Sequence, residues 1–251
     1  MHCGPLRHPR GYQGEHEPTD DTEAPIDIDP LDFPIYGISE AAGYLHMPPA
    51  TLRSWTVGRT YRTREGPTEF DPLIELPDPA QARLSFSNLV EAHVLRALRT
   101  RHEVSIRSVR QALRYAEDQL GLERLLLREE LLAAAGDLFL ERYGQLINLS
   151  KSGQLAVRKL LESHLGRVDR GEEGLPVRLY PFLPADFAPS SRLIVIDPRV
   201  SYGRPTIVER GISTEAIVRR IDAGEAVPDL AEDYGLTRDQ IETAVLYERA
   251  A

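Results

Sequence analysis

The stretch "ISEAAGYLHMPPATLRSW", residues 38–55, has the spacing of two short helices joined by a tight turn. Ser39 stands where it can cap the first helix, and apolar residues recur along one face of that helix. The prolines of "HMPP" place Pro49 near the first position of a second helix, which we predict to end at about Val57. A pair of this shape often places its second helix in the major groove of DNA.

The same spacing returns in "VPDLAEDYGLTRDQIETA", residues 227–244, but the charge is reversed. Residues 38–64 contain four arginines and one acid, Glu40, whereas residues 227–248 contain six acids and one base, Arg238. An acidic helix meets DNA phosphates with like charge, and neutralisation of phosphates by Lys and Arg is what normally drives binding. We therefore predict that the first pair reads DNA and that the second serves packing or a protein partner.

The second helix of the first pair is expected to bury Leu52 and Trp55 and to present its polar face to DNA. The sequence after Gly58 predicts a β-hairpin, or wing, whose arginines would follow the DNA backbone. A helical hairpin in an ordinary core would show the same spacing with solvated arginines, but the basic wing favours DNA binding. The predicted DNA contacts are Thr51, Arg53, Ser54, Arg59, Arg62 and Arg64.

The net charge of −9 argues against nucleic-acid binding only when it is averaged over the chain. Residues 36–116 hold 11 Lys and Arg against 8 Asp and Glu, whereas residues 1–35 hold 2 against 8. The segment that contains the first helix pair is therefore positive, although the chain as a whole is acidic.

Composition also limits location and chemistry. No apolar run approaches the roughly 20 residues that span a bilayer, and the N-terminus lacks the apolar stretch of a signal peptide, so we expect a soluble cytoplasmic protein. Cys3 is the single cysteine, which excludes an internal disulfide and a zinc site of several thiolates. The histidines are scattered, and neither a Gly-rich phosphate loop nor a Gly-x-Ser-x-Gly elbow occurs. We predict no catalytic residue, metal site, cofactor or enzymatic activity.

Helical spacing continues after the wing. Ser87 is expected to cap "NLVEAHVLRALRT", and Gly121 to end the next helix, "SIRSVRQALRYAEDQL". "LERLLLREELLAAA" and "GQLAVRKLLESHL" predict two more helices, with a small hairpin around Tyr143 and Gly144 between them. The Pro-rich residues 166–192 predict a linker or an extended crossing segment. The strands "LIVIDP" and "RPTIVERGIS" then precede three helices.

These elements predict a mainly α fold with two domains. The first is a winged helix-turn-helix domain, and the second is a C-terminal three-helix, helix-turn-helix-like domain with short β-strands. The expected segments are a disordered acidic leader at 1–33, the winged DNA-binding domain at 34–120, connecting helices, hairpin and Pro-rich crossing segment at 121–190, and the C-terminal domain at 191–251.

The head of the chain resembles a known class of DNA-binding domain. "YGISEAAGYLHMPPATLRSWTVG", the Arg-bearing hairpin and "LSFSNLVEAHVLRALR" are together similar to the N-terminal winged helix-turn-helix of MerR-like regulators. The resemblance covers about residues 36–115, and "TLRSW", from Thr51 to Trp55, matches the pentad that opens their recognition helix. It implies binding to double-stranded operator DNA.

The C-terminal part resembles another family. "VIDPRVSYGRPTIVERGISTEAIVRRIDAGEAVPDLAEDYGLTRDQIETAVLYE" is similar to the small domain of a widespread bacterial family labelled as of unknown function and found among antitoxins. Asp197 and Pro198 match the Asp-Pro at the end of its strand, residues 203–207 match its turn, and Tyr247 matches its closing aromatic. The segment "ERGIS" stands where the family usually has a Thr-Arg pair, which is absent here. A MerR-like head on this tail resembles the VapB antitoxin of a VapBC toxin–antitoxin pair.

That resemblance implies two partners, operator DNA for autorepression and a PIN-domain ribonuclease toxin. PIN nucleases bind Mg²⁺ through clustered carboxylates, which an arginine of the antitoxin can approach. The alternative is that the arginines of this turn are solvent-exposed and bind no partner. We interpret Gly203 and Pro205 as residues that shape the backbone of the turn. The candidate toxin contacts are Arg199, Arg204 and Arg210.

Two other functions fit parts of the sequence. A solitary MerR-like regulator that senses a small molecule needs a long dimerisation helix, which Gly121 and Gly136 would interrupt. A structural adaptor would show no salt-dependent DNA binding. We also expect a homodimer, because DNA readers with short recognition helices commonly bind two half-sites. The apolar residues expected at its interface are Ile217, Val218, Ile221, Leu230, Ile241 and Val245.

Overall fold

A computed structural model describes the chain at residues 1, 30–63, 66–99, 106–128, 131, 140–142, 144–145, 151–183 and 192–250. The fold is mainly helical with short strands in small sheets, as predicted. The helices are α1 (Ile38–Tyr44), α2 (Pro49–Thr56), α3 (Phe86–Arg99), α4 (Ile106–Leu120), α5 (Lys151–Leu165), α6 (Thr214–Asp222), α7 (Val227–Tyr234) and α8 (Arg238–Arg249). The antiparallel strand pairs are β1 (Tyr36–Gly37) with β4 (Arg83–Leu84), β2 (Arg59–Thr63) with β3 (Gly66–Phe70), β5 (Val168–Arg170) with β6 (Pro176–Leu179), and β7 (Ile194–Val195) with β8 (Thr206–Ile207).

The helix-turn-helix forms where the spacing predicts it, with Pro49 as the first residue of α2. α1 begins at Ile38, and the Glu40 carboxylate accepts a hydrogen bond of 3.1 Å from the Gly37 N–H. The predicted cap at Ser39 is therefore wrong, because the helix starts two residues earlier than that cap requires, with Gly37 as its N-cap, and Glu40 satisfies the Gly37 N–H. The wing, β2 and β3, follows α2 directly.

A reciprocal cap fixes the start of α3. The Ser85 hydroxyl accepts a hydrogen bond from the Asn88 N–H at 3.1 Å, and the Asn88 side-chain oxygen accepts one from the Ser85 N–H at 3.2 Å. The prediction that Ser87 caps this helix is wrong. The Ser87 hydroxyl instead donates to the carbonyl of Leu31 and holds the segment before β1 against α3.

The Pro-rich stretch is partly folded. β5 and β6 form a hairpin in it, and buried Leu179 exchanges two backbone hydrogen bonds with Ile196, at 3.0 and 2.8 Å. The linker prediction is wrong for residues 168–179, because this hairpin packs between the helical core and the C-terminal strands. Residues 184–191 of the same stretch lie outside the described residues.

Three further predictions concern the middle of the chain, and only the first is confirmed. α4 ends before Gly121, whose φ of +63° is the left-handed conformation expected there. The hairpin predicted around Tyr143 and Gly144 is wrong, because residues 140–142 and 144–145 are helical. The helix predicted over residues 122–135 is wrong for residues 122–128, which form a turn and a short 3₁₀ helix, Leu125–Leu127, because Arg124 takes a left-handed φ of +49°. Residues 129–130 and 132–135 lie outside the described residues, as does the leader from residue 2 to 29.

The C-terminal helices α6, α7 and α8 pack over β7 and β8 around a separate hydrophobic core. Ile217, Leu230 and Ile241 are fully buried in it. We expected these residues to exceed what three short helices can bury and so to form a dimer interface. The strand pair covers Ile217, Leu230 and Ile241, which are therefore unavailable to a partner. Val218, Ile221 and Val245 are half-buried, and the homodimer stays a prediction.

Candidate nucleic-acid interface and C-terminal turn

The recognition helix α2 presents one apolar and one polar face. Leu52 and Trp55 are buried, which fixes the rotation of the helix on α1. Arg53 then projects into solvent, while Thr51 and Ser54 are half-buried at its edges. The Ser54 hydroxyl donates to the Thr51 carbonyl at 2.7 Å, so its proton is already used within the helix. The side chain best placed to reach DNA from α2 is therefore Arg53.

Arg53 makes no salt bridge with any carboxylate that the structure describes. A guanidinium that has no intramolecular partner keeps all of its donors for a phosphate or a base edge. This distinguishes Arg53 from Arg204, which is paired at 3.4 Å with Glu215.

The wing is held beside the recognition helix by main-chain bonds. The Trp55 carbonyl accepts hydrogen bonds from the N–H groups of Leu73 and Ile74, at 2.7 and 3.0 Å. β2 carries Arg59, which is exposed, and Arg62, whose backbone pairs with Pro67 of β3. Both positions thus follow α2 closely, as the DNA-binding prediction requires. Arg64 lies outside the described residues.

The turn of the helix-turn-helix is anchored on the C-terminal domain. His46 lies in that turn, with Nδ1 3.2 Å from the Phe182 carbonyl and Nε2 2.9 Å from the Tyr247 carbonyl. The buried Tyr247 hydroxyl donates to the carbonyl of Tyr44 at 2.8 Å. Burial lowers the pKa of His46. The two domains therefore meet directly behind the recognition helix.

A second pair of buried histidines lies next to this junction. His93 Nε2 is 3.1 Å from the His164 carbonyl, and His164 Nδ1 is 2.8 Å from the Leu160 carbonyl. Both rings contact Phe182. Burial is the main cause that lowers the pKa of His93 and holds that of His164 at about 4. Both imidazoles are therefore neutral at physiological pH.

The three candidate toxin contacts do not share one site. Arg199 and Arg204 line a groove that also contains Tyr202, whereas Arg210 lines a separate cavity beside β7 and β8. Arg199 and Arg210 are exposed and make no ion pair with any described carboxylate. Arg204 is held by Glu215.

The loop that carries Arg199 is built on a buried carboxylate. Asp197 is 5% exposed, accepts a hydrogen bond of 2.9 Å from the Arg199 N–H, and forms a 2.9 Å ion pair with Arg178. The next residues form a short turn in which Gly203 has a φ of +73°. A Cβ at Gly203 would come within 2.1 Å of the Tyr36 hydroxyl, so this position requires glycine.

Sequence reasoning missed Tyr202, whose side chain is 91% exposed at the tip of this turn. The turn signal "SYG" was visible, but nothing in it shows which way a tyrosine points. It also missed the contacts of His46, because a histidine in a turn has no periodic pattern to report its neighbours.

Two family descriptions match the chain. Residues 34–113 match a family described as "Putative DNA-binding HTH domain", and residues 194–247 match one described as "Protein of unknown function (DUF433)". The chain is 31% identical to "Putative antitoxin VapB45" of Mycobacterium tuberculosis, over 86% of this chain and 94% of that protein. This chain belongs to the VapB-type antitoxin family, with a helix-turn-helix head.

Two further proteins of M. tuberculosis are similar over nearly their whole length. The uncharacterized protein Rv2308 is 28% identical, over 87% of this chain and 92% of that protein. The crystal structure of Rv2018 aligns with a TM-score of 0.63 and 27% identity, over 86% of this chain and 99% of that one. This likeness spans the helix-turn-helix head, the middle segment and the C-terminal domain together.

Two kinds of structure are absent from the described residues. No helix in this part of the chain is long and apolar enough to cross a membrane. In the same residues, no group of three or more His, Cys, Asp or Glu side chains could hold a metal ion.

Proposed function

We propose that this antitoxin-family chain neutralises a PIN-domain ribonuclease and represses its own operon by binding operator DNA. The observation that carries the DNA half is the solvent-facing Arg53, which pairs with no described carboxylate, on a recognition helix whose other face is buried. The printed name of the VapB45 relative supports the antitoxin half. The chain is then a regulator rather than an enzyme.

On the DNA side, α2 enters the major groove and the wing lies along the backbone. Arg53 supplies the main contact to a base edge or phosphate, with Thr51 and Ser54 at its sides. Arg59, Arg62 and Arg64 of the wing neutralise phosphates. A MerR-like homodimer reads two half-sites, which compensates for the small surface of one short helix.

On the toxin side, Arg199 and Arg210 are the better candidates among the three arginines. Each is exposed and has no described carboxylate partner, so binding a toxin carboxylate breaks no existing ion pair. Arg204 must first leave Glu215, which lowers the net gain from a new contact.

The solitary, ligand-sensing regulator has less support. Its dimerisation would need a long helix after the head, and α4 has 15 residues before Gly121 turns the chain with φ of +63°. The antitoxin assignment needs no such helix.

The test measures DNA binding and inhibition of a neighbouring gene product with one preparation of the chain. The full-length chain is titrated with DNA from upstream of its own gene, and separately added to the product of the neighbouring open reading frame with RNA and Mg²⁺. We expect salt-dependent DNA binding and inhibition of RNA cleavage at about equimolar chain. DNA binding without any effect on the neighbour's product would instead support the solitary regulator.

A further inference from the structure

Three exposed apolar side chains from three parts of the chain line one groove. Phe33 precedes β1 and is 52% exposed, Leu175 in the β5–β6 turn is 40% exposed, and Tyr202 is 91% exposed. The groove has a volume of about 870 Å³. Aromatic side chains and Arg are the types enriched at the energetic centres of protein interfaces. Their convergence here is unlike the scattered apolar residues of an ordinary surface.

Tyr202 is presented from a rigid turn. Ser201, Tyr202 and Gly203 have consecutive φ values of +49°, +56° and +73°, a left-handed conformation that side-chain-bearing residues rarely adopt. The turn is held by the Ser201 hydroxyl, which donates to the Gly211 carbonyl at 3.0 Å, and by Tyr36 packed on Gly203. A preorganised side chain loses less conformational entropy when it is buried against a partner.

Charged side chains of both signs line the groove, including Glu40 of α1 and Arg83 of β4. Arg199 and Arg204 lie on the side of the Tyr202 turn, and Glu172 and Glu173 lie on the hairpin side. Arg199, Glu172 and Glu173 make no ion pair with any residue that the structure describes. The groove therefore matches an apolar segment with carboxylates near Arg199 and cationic groups near Glu172 and Glu173.

We infer that this groove, lined by Phe33, Leu175 and Tyr202, is the surface that binds the toxin. The inference rests on the proposed function and specifies where the toxin binds. The occupant is a projecting apolar segment of the toxin, with carboxylates facing Arg199 and cations facing Glu172. Tyr202 is its central anchor.

Two other occupants fit the groove less well. Residues 1–29, which precede the groove residues, hold 7 acids against 2 bases, so they offer few cations to Glu172 and Glu173. A second copy would have to fill a concave surface with the same concave surface, since symmetric dimers use one patch twice.

The test compares Tyr202→Asn with Leu155→Ser in the full-length chain. Asparagine tolerates the left-handed conformation, so the first change removes the ring and keeps the turn. Leu155 is 55% exposed on α5 and does not line the groove, which makes it a matched control. The binding partner is the purified product of the neighbouring open reading frame. We expect Tyr202→Asn to weaken its binding at least about tenfold and Leu155→Ser to leave it within about twofold, with DNA binding unchanged in both.

Each other outcome has a distinct meaning. If the wild-type chain does not bind the neighbour's product, the proposed function fails and this site with it. If wild-type and Tyr202→Asn chains bind equally, the proposed function stands and the groove assignment is overturned. Tighter binding by Tyr202→Asn would show that the chain's own N-terminal segment occupies the groove. Conversion of a dimer to a monomer by the same change would show that a second copy does.

Discussion

Arg53 is the residue on which the DNA-binding proposal depends most. If its guanidinium reaches a base edge, we expect Arg53→Ala to weaken operator binding by about 1 to 3 kcal/mol. If it reaches a phosphate, the salt slope of binding should fall by about one. Fluorescence anisotropy with operator DNA over a series of salt concentrations measures both. Arg199→Ala is the matched control, because Arg199 is also exposed but lies on the C-terminal turn. Unchanged affinity and slope in Arg53→Ala would remove this residue from the interface.

His164 is a single residue that makes the stability of the fold depend on pH. Its pKa falls from 6.5 in the unfolded chain to about 4 in the fold, mainly because the ring is buried. The unfolded chain therefore binds more protons between these values, so stability is complete above pH 6.5 and is lost as the pH falls towards 4. His164 alone should cost about 2 kcal/mol between pH 7 and pH 5, and the lowered pKa of His93 adds to this.

Urea unfolding at pH 7 and pH 5 measures this loss. His164→Gln keeps a side-chain donor for the Leu160 carbonyl but does not titrate in this range. Its free energy of unfolding should fall less between the two pH values than that of the wild type. An equal fall in both proteins would contradict the role of His164.

Individual caps were harder to predict than the helices that they begin. Ser39, Ser85 and Ser87 all have the right chemistry, and which serine caps a helix depends on where its neighbours put the first turn. The exposure of Tyr202 could not be predicted either, because a turn sequence does not specify the direction of a side chain. The DNA and toxin contacts named from the sequence stay predictions.

At the scale of the element, the turn at Gly203 is the point where the C-terminal domain contacts β1. Gly203→Ala combines a left-handed φ with a Cβ that would clash with the Tyr36 hydroxyl. Gly224→Ala is the matched control, because Gly224 has a φ of +93° and open space around its Cβ position. We expect the Gly224 change to cost about 1 to 2 kcal/mol through strain alone. The Gly203 change should cost about 1 to 3 kcal/mol more.

Chemical denaturation of the two variants gives the comparison. Adding Tyr36→Phe to Gly203→Ala removes the clashing oxygen and should recover part of the loss. Equal destabilisation by the two glycine substitutions would show that Tyr36 does not restrict this turn.

Elements with a strong periodic pattern were predicted well, and those without one were not. α2 was located by Pro49 and by the burial of Leu52 and Trp55, and the structure confirms both features. The β5–β6 hairpin was missed because its strands are short and lie in a stretch rich in Pro, Gly and charge. β6 also exchanges backbone hydrogen bonds with Ile196 through Leu179, a contact that no local pattern reports.

At the scale of the whole molecule, Tyr247 joins the C-terminal domain to the back of the helix-turn-helix. Tyr247→Phe leaves the half-buried Tyr44 carbonyl without this donor and should lower the free energy of unfolding by about 1 to 2 kcal/mol. Tyr36→Phe is the matched control, because the buried Tyr36 hydroxyl has no hydrogen-bond partner among the described residues. Its removal should be neutral or stabilising. A larger loss in Tyr36→Phe than in Tyr247→Phe, measured by thermal unfolding, would contradict this description of the junction.

The two-domain arrangement would let an acidic chain bind DNA, as proposed. The basic face is confined to the head, and the second helix pair, which has the same spacing, is acidic and packs on the head through Tyr247. Charge by segment predicts this division of roles, and the division stays a prediction. The packing of the two domains was not predictable, because it depends on contacts between residues about 200 positions apart, such as His46 with Tyr247.

The most direct test is growth of cells that express the neighbouring open reading frame alone, with the wild-type chain, or with Arg53→Ala. The account predicts that the neighbour alone arrests growth and that both forms of the chain restore it, because toxin binding does not use α2. Only the wild-type chain should repress a reporter placed behind its own operator. No arrest by the neighbour and no complex with the chain would contradict the antitoxin account and leave a solitary DNA-binding regulator.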